Sequence, residues 1–449
     1  MEEQELKDRV SELIEEKKYR ELAALLREMT APDVAQILED IEDEYLSIIY
    51  RILPKELAAE VFVEMDGDQQ ELLISSFTDK ELKEMLDELY LDDTVDIIEE
   101  MPAVVVKRIL RNSDSKTRAM INEILKYPKD SAGSLMTIEY IDLKKDMTVR
   151  DAFDRIRKTG KDKETINNCY VVDRNRKLQG IITVRTLLLA DYTDVIEEIM
   201  ETNIISVTTT EDKEEVAKMF DKYDFLTLPV VDNENRLVGI ITVDDAIDVI
   251  QEENSEDFAK MAAVTPLEES YFKTSVFHHA KNRIIWLLIL MLAGTFTGMI
   301  IQSYEAALAT LPMLVAFIPM LMDTGGNCGS QSSTLTIRGM ALDEISPRDY
   351  FRVVFKEARV ALLVGAVLAA VNFVRIFILY GNVIFGIVTG LSLICTVLIA
   401  KFLGCSMPIL AKTLHLDPAI MASPMITTIV DACSILIYFS IATAALPLL

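Results

Sequence analysis

The sequence predicts a multidomain membrane protein in which an acidic soluble region precedes a helical transmembrane domain. The placement of charge, a set of long apolar stretches and an internal repeat support this prediction. Of the 449 residues, the first 260 contain 62 Asp or Glu and 34 Lys or Arg, whereas residues 261–449 contain 10 and 11. Such acidity disfavours nucleic acid as a partner, because phosphates would be repelled, and favours cations.

Residues 1–130 predict an acidic, α-helical superhelical domain. Apolar residues recur at helical spacing, as between Leu22 and Met29, and prolines break the pattern into short amphipathic segments. Degenerate helical hairpins of this kind stack side by side into a superhelix.

Asp92 and Asp96 lie one turn apart on one predicted helix face of this domain. Like charges at this spacing repel each other in an isolated helix. The pair is therefore either part of a solvated face or one half of a shared cation site that requires a second acidic surface.

Residues 131–250 contain an internal repeat. Residues 170–184 match residues 229–243 with a constant offset of 59, and each copy predicts two strands followed by a helix. The Val-Val-Asp and Gly-Ile-Ile-Thr-Val signatures resemble those of a tandem pair of CBS domains, at about residues 131–195 and 196–250. The resemblance implies α+β regulatory modules that often dimerise and often bind adenosine nucleotides, which makes ATP a candidate ligand.

The two copies differ at the start of the helix that follows the last strand. The second copy has Asp244 and Asp245 there, where nucleotide-binding members of the family tend to have an Asp that holds ribose. The first copy has Arg185 and Thr186 instead, which argues against a symmetric nucleotide site. Asp245 is then either a ribose ligand or a cap of the following helix.

Residues 251–283 predict a long helix that connects the repeat to the membrane. Acidic residues follow one another at helical spacing from Asp245 to Asp257. Such a run usually forms a solvated face. Because hard divalent cations bind clusters of carboxylates from several elements, it also suits an interface held together by cations.

Residues 284–449 predict a transmembrane domain of five helices, since each apolar stretch can cross about 30 Å of hydrocarbon. The predicted spans are about 284–304, 306–336, 359–380, 383–403 and 418–449. Lys and Arg concentrate on one side, with Lys401 and Lys412 flanking the last loop, which predicts a cytoplasmic soluble region and a C-terminus outside. Met1 to Arg9 contain no apolar core, so no signal peptide is predicted.

Asp431 is the only charged residue from Pro418 to Leu449. A carboxylate at such a depth is costly in lipid and should face protein or water. Nearby, Pro424 removes a backbone donor one turn before Thr427 and Thr428. These polar residues largely share a helix face with Asp431, which indicates the wall of a polar pathway; the alternative is an Asp buried among neighbouring helices.

The second predicted span contains a run of glycine and small polar residues between Asp323 and Thr334. Such backbone is tolerated in a membrane where it lines a cavity. The alternative is close packing of helices through small residues.

The order of these regions resembles the MgtE family of magnesium channels. The membrane motifs that carry the resemblance are Gly325-Gly326-Asn327-x-Gly329-x-Gln331 and Asp417-Pro418-Ala419 followed by Asp431. The resemblance implies a homodimer with one central pore, a magnesium-sensing cytoplasmic part and a plug helix. Asp431 matches the family's pore aspartate, which holds a hydrated Mg²⁺. The other matching metal ligands are Glu60, Asp92, Asp96, Glu214, Asp224, Asp245, Asp248, Glu253, Glu256, Asp257 and Asp417. The predicted pore lining is Gly325, Gly326, Asn327, Gly329, Gln331, Ser423, Pro424, Thr427 and Thr428.

The predicted function is a Mg²⁺-selective channel for magnesium uptake across the cell inner membrane. Cytosolic Mg²⁺ would shut it by bridging acids of the N-terminal domain, the CBS pair and the plug helix. The expected partners are Mg²⁺, the lipid bilayer and a second copy of the chain.

Two alternatives stay open: a carrier or channel for another divalent cation such as Co²⁺ or Ca²⁺, and a nucleotide-reading membrane receptor without transport. An enzyme is the least favoured class, because no catalytic acid–base pair, nucleophile or phosphate loop is apparent.

Overall fold

The computed structural model describes residues 2–266, 271, 274–305, 312–421 and 423–445. The chain divides into two compact units, Met1–Ile250 and Gln251–Leu449. The first unit contains an array of short helices and two small sheets, and the second is helical.

The N-terminal part of the first unit is an array of short amphipathic helices, as predicted. Polar side chains cap several helix starts; Asp66 accepts from the backbone N–H of Gln69, and Thr78 and Glu81 form a capping box. Helices pack on the next but one along the chain, α3 on α5, α5 on α7 and α7 on α9, which is the arrangement of stacked hairpins. The helices are α1 Glu2–Glu15, α2 Tyr19–Leu26, α3 Ala31–Glu39, α4 Asp43–Tyr50, α5 Lys55–Val63, α6 Gly67–Ser76, α7 Asp79–Leu86, α8 Leu91–Glu100, α9 Ala103–Asn112 and α10 Ser115–Ile124.

The repeat folds into two three-stranded sheets of identical topology, in which the first strand runs parallel to the second and the second antiparallel to the third. Two reciprocal hydrogen bonds join the copies: Leu178 donates to the Asn235 carbonyl at 3.1 Å, and Leu237 donates to the Arg176 carbonyl at 2.9 Å. The elements are α11 Ala132–Leu135, β1 Ile141–Leu143, α12 Val149–Thr159, β2 Asn168–Val172, β3 Leu178–Thr183, α13 Val184–Leu189, α14 Ile196–Ile199, β4 Val207–Thr208, α15 Lys213–Tyr223, β5 Thr227–Val231 and β6 Leu237–Thr242.

The connecting helix α16, Val243–Met261, begins inside the second repeat and ends earlier than predicted. The sequence prediction extended it to residue 283, but Ala263 has a φ of 54° and the next described helix starts at Val276. Pro266 contributes to this break, because a proline disfavours helical backbone at the preceding residue.

The second unit contains long helices with an apolar core. Four described helices are long and apolar enough to cross a membrane, namely α17 and three later ones. The helix that carries the Gly-Gly-Asn motif, α18, has 24 residues and is more polar, so the count of five spans stays a prediction. The helices are α17 Val276–Ser303, α18 Ile318–Ala341, α19 Tyr350–Tyr380, α20 Val383–Thr413 and α21 Ser423–Ala445.

Candidate metal centres

Three carboxylates from three segments converge in the first unit. Asp92 lies in the first turn of α8, Glu139 precedes β1 and Glu164 precedes β2, and one oxygen of each lies within 4.8 Å of the others. Asp92 is only 7% exposed. Its Oδ1 has no hydrogen-bond partner among the described residues, and neither does Oε2 of Glu164. Because a buried carboxylate oxygen without a donor is costly unless a cation or proton neutralises it, these three residues (the carboxylate triad) suit a hard divalent cation.

Other acidic residues surround the carboxylate triad, and their negative charges make ionisation of its carboxyl groups less favourable. Burial raises the pKa of Asp93 to about 6 and that of Glu164 to about 8, and neighbouring carboxylates add to both shifts. Burial also raises the pKa of Asp92, with Asp245 as the next cause. The side chain of Asp96 is exposed to solvent on one side. Desolvation by the surrounding protein, and then the negative charge of Asp245, nevertheless raise its pKa to about 7. The fold therefore brings these carboxyl groups together in a way that disfavours their ionised forms at neutral pH.

Asp245 lies in the first turn of α16, as its third residue, and not at the predicted N-cap position. Its Oδ2 accepts a hydrogen bond of 2.6 Å from the hydroxyl of Thr242, the residue that precedes the helix. Burial nevertheless raises the pKa of Asp245 to about 6, and its charge acts on both Asp92 and Asp96. The structure thus brings Asp92, Asp96 and Asp245 together, as the predicted ligand set requires.

Glu64, which follows the last residue of α5, lies close enough to α16 for its charge to interact with that of Asp248. Glu60 is exposed. Burial and then the charge of Asp248 raise the pKa of Glu64. The role of Glu60 as a metal ligand stays a prediction.

Glu214 and Asp224 lie on the exposed surface of the second CBS copy. Glu214 pairs with Lys218 at 2.8 Å, and Asp224 ends α15 with a φ of 54°. Among the described contacts, none joins either residue to the carboxylate triad. Their role as metal ligands stays a prediction.

Glu139 and Glu164 are not among the ligands predicted from the sequence, and the pairing of the strands explains how they come together. Strands β1 and β2 pair in parallel, with Ile141 opposite Cys169, so the segments that precede both strands meet at one edge. The backbone N–H of Glu164 donates to the Glu139 carbonyl at 3.0 Å. A search for acids just before the two strands would have found this pair, whereas helical periodicity could not.

The raised pKa values of Asp93, Asp96 and Glu164 predict that the metal-free protein loses stability as pH rises. A carboxyl group whose folded pKa lies above its unfolded value stabilises the fold fully below the unfolded pKa, and this contribution is lost as pH rises through the folded pKa. For Asp93, Asp96 and Glu164 the window runs from about pH 4 to pH 8. Between pH 5 and pH 8 we expect a fall in Tm of roughly 3–6 °C, equivalent to about 1–2 kcal/mol.

Thermal unfolding of the full chain in chelator, followed by circular dichroism, measures this effect. The matched control is Glu197→Gln, which removes an exposed acid paired with Lys145 and should keep the slope with pH. Adding Mg²⁺ should flatten the slope. A Tm in chelator that rises between pH 5 and pH 8 would contradict the assignment.

In the second unit, a lysine joins two of the predicted ligands. Lys260 Nζ lies 2.6 Å from Glu256 and 2.7 Å from Asp417. Glu253 and Asp257 lie on the same helix and are half-buried. The structure therefore brings Glu256 and Asp417 to one point, with an ammonium group between them.

Helix α18 has one packed face and one polar exposed face. A Cβ added at Gly325 would lie 2.7 Å from Ser434 Oγ, and one added at Gly329 would lie 2.7 Å from Ile426. These glycines therefore permit close helix packing, the alternative that the sequence left open. Gly326 packs beside Thr427. The exposed face is mostly polar and carries Asp323, Asn327, Gln331, Thr334, Leu335 and Arg338.

Asp431 lies half-buried in α21, close enough to Asp323 for their charges to interact. Thr427 and Thr428 are also half-buried, and their hydroxyls both donate to the Pro424 carbonyl, at 3.0 and 2.9 Å. The side chain of Ser423 lies outside the described residues. The first turns of α21 thus contain two threonine hydroxyl groups, and the carboxylate of Asp431 follows one turn later.

Lys401 does not flank a loop as predicted. It lies within α20, is only 4% exposed, and its Nζ is 3.3 Å from Glu357 of α19 and 3.1 Å from the Ser332 hydroxyl of α18. A buried charge needs a partner, and no local pattern in the sequence identifies Glu357, one helix away, as that partner. Of the two flanking lysines, only Lys412 remains near the end of α20.

Comparisons with known proteins agree along the whole chain. A family model described as the MgtE divalent cation transporter matches residues 318–441, the MgtE intracellular N domain matches residues 31–130, and the CBS domain matches residues 132–192 and 196–252. The magnesium transporter MgtE of Thermus thermophilus is 36% identical over 450 residues and 98% of both chains. That of Bacillus subtilis is 32% identical, over 97% of this chain and 96% of the relative.

Two solved structures resemble the soluble part. One is the cytosolic domain of the Mg²⁺ channel MgtE in complex with ATP, with a TM-score of 0.51, 36% identity, and coverage of 54% of this chain and 98% of that chain. The other is the soluble part of a magnesium transporter, with a TM-score of 0.52, 29% identity, and coverage of 56% and 99%. Together with the membrane motifs and the apolar helices, these matches establish that the chain belongs to the MgtE family of divalent cation transporters, as a multi-pass membrane protein.

Proposed function

We propose that this protein is a Mg²⁺-selective channel for magnesium uptake. The observation that carries the proposal is Asp431, a half-buried carboxylate in an otherwise uncharged apolar helix. Mg²⁺ releases its water reluctantly. Asp431 therefore holds the ion through its hydration shell, and selectivity comes from the size of the hydrated ion and the polar lining. The names of the full-length relatives, magnesium transporters, support the choice of ion.

The conducting form is a homodimer. A single chain leaves the polar face of α18 exposed within a membrane domain, where lipid would solvate it poorly. A second copy that applies the same face would enclose these groups around a water-filled path. One Asp431 from each copy then faces the ion.

Cytosolic Mg²⁺ shuts the channel. Ions at the carboxylate triad and at the surrounding acids tie the N-terminal helices to the CBS pair, and a related site at Glu256 and Asp417 acts near the membrane. When Mg²⁺ is scarce, the bare carboxylates repel one another and the domains separate. The charge of residues 1–260, 62 acids against 34 bases, supports this feedback.

We propose that the soluble region is cytoplasmic and that the C-terminus lies outside. The orientation is supported by a group of basic residues at the end of α18, in the loop after it and in the first turns of α19: Arg338, Arg348, Arg352, Lys356 and Arg359. It does not depend on Lys401. ATP is proposed as a further ligand of the CBS pair, since the solved cytosolic relative holds it.

Current recordings from the full chain in a planar bilayer test the proposal. With a Mg²⁺ gradient, we expect single-channel steps that stop when Mg²⁺ is added at millimolar concentration on the side of the soluble domains. Exchanging Mg²⁺ for Co²⁺ or Ca²⁺ should reduce the current. Uptake without unitary steps would indicate a carrier, and no flux at all would indicate a receptor.

A further inference from the structure

Lys260 occupies the place between two carboxylates where the proposed regulatory cation would bind. Its Nζ donates to Oε1 of Glu256 and to Oδ2 of Asp417, at 2.6 and 2.7 Å. Two carboxylates at hydrogen-bond distance favour the charged ammonium form of this side chain.

Oδ2 of Asp417, the oxygen that Lys260 contacts, can bind either the ammonium group or a metal ion. Its other oxygen, Oδ1, accepts a hydrogen bond of 2.8 Å from the backbone N–H of Ala419 and so fixes the orientation of the carboxylate. Oδ2 then points to Lys260. The three side chains are 26%, 29% and 41% exposed for Lys260, Asp417 and Glu256, so solvent and small ions reach them.

A divalent cation and the ammonium group cannot both occupy this point, because each requires the same carboxylate oxygens and the two positive charges repel. We propose that Lys260 is a tethered monovalent cation that competes with Mg²⁺ for Glu256 and Asp417. This inference rests on the proposed gating function and assigns a regulation to that site. Binding of Mg²⁺ there is an exchange reaction, and Lys260 raises the Mg²⁺ concentration at which the channel shuts.

The opposite role is a structural clasp that holds α16 to the segment 417–421. The two roles predict opposite signs. If Lys260 is a clasp, its removal makes closure harder and more Mg²⁺ is needed. If Lys260 competes, its removal frees two carboxylates and less Mg²⁺ is needed.

The test is the Mg²⁺ concentration of half-closure for the full chain in bilayers. For Lys260→Met we expect a value about tenfold lower, since a charge-assisted hydrogen bond is worth roughly that factor or more in an equilibrium constant. Lys260→Arg keeps the charge and should stay near the wild-type value. Lys260→Met combined with Asp417→Asn should lose the gain. An unchanged or higher half-closure concentration in Lys260→Met overturns the proposal.

Binding of Mn²⁺ to the same full-chain variants in nanodiscs, followed by electron paramagnetic resonance, separates this inference from the gating function. Lys260→Met should bind one Mn²⁺ more tightly than the wild type, and the double variant should not. If the wild type is never closed by Mg²⁺ but Lys260→Met still gains this Mn²⁺ affinity, the gating function fails and the exchange stands. If the affinity is unchanged, the exchange is wrong whatever the currents show. Lys260→Gln repeats the measurement should Lys260→Met fold poorly.

Discussion

Asp431→Asn should reduce Mg²⁺ uptake at least tenfold. The substitution keeps the shape of the side chain and removes the charge, so a hydrated cation loses an attraction worth about 1–4 kcal/mol per unit charge at close range. In a dimeric pore the loss counts twice. Growth of a magnesium-auxotrophic bacterium and uptake of Mg²⁺ into vesicles both measure the effect.

The matched control for this substitution is Thr443→Ala, which alters an exposed residue nearer the end of the same helix. It should transport at the wild-type rate. Asp431→Glu keeps the charge and should retain part of the uptake. Wild-type uptake by a folded Asp431→Asn protein would rule out Asp431 as the ion-holding group.

Glu139→Gln combined with Glu164→Gln should leave the channel open at Mg²⁺ concentrations that shut the wild type. The change removes two of the three carboxylates that converge with Asp92 but keeps their size. Since affinity for such cations is set by the number and charge of oxygen ligands, the half-closing concentration should rise about tenfold or more. Bilayer currents measure closure, and Mg²⁺-dependent protection of the soluble domains from trypsin reports the domain contact.

Glu197→Gln, which removes an exposed acid paired with Lys145, is the control and should close normally. Asp92→Asn should resemble the double variant. Normal closure after loss of both Glu139 and Glu164 would show that the carboxylate triad takes no part in gating.

Residues whose role follows from local pattern were predictable from the sequence. The helical array, the duplicated CBS unit and the connecting helix all have periodic or repeated signatures. Asp92 is identifiable because it lies one helical turn from Asp96, and Asp245 because it follows the last strand of the second repeat. Glu139 and Glu164 were not, because their proximity depends on the parallel pairing of β1 with β2, a contact between segments 25 residues apart.

The same limit applies in the membrane domain. A run of small polar residues is typical of both a cavity and a close packing surface, and the close packing of Gly325 and Gly329 depends on the neighbouring helices. Lys401 was assigned to a loop edge because its partner Glu357 lies 44 residues earlier in the chain. Composition gives the cost of a buried charge, but it does not identify the residue that compensates for it.

The contact of α18 with α20 constrains how any gate can operate. A Cβ at Gly404 would lie only 2.3 Å from the Gly329 carbonyl oxygen, so the two backbones touch without intervening side chains. Turning either helix about its own axis would force bulkier residues into this contact and collide with the neighbour. In the proposed channel we therefore expect α18 and α20 to move as one block, with the bending confined to the segments that join this block to the rest of the domain.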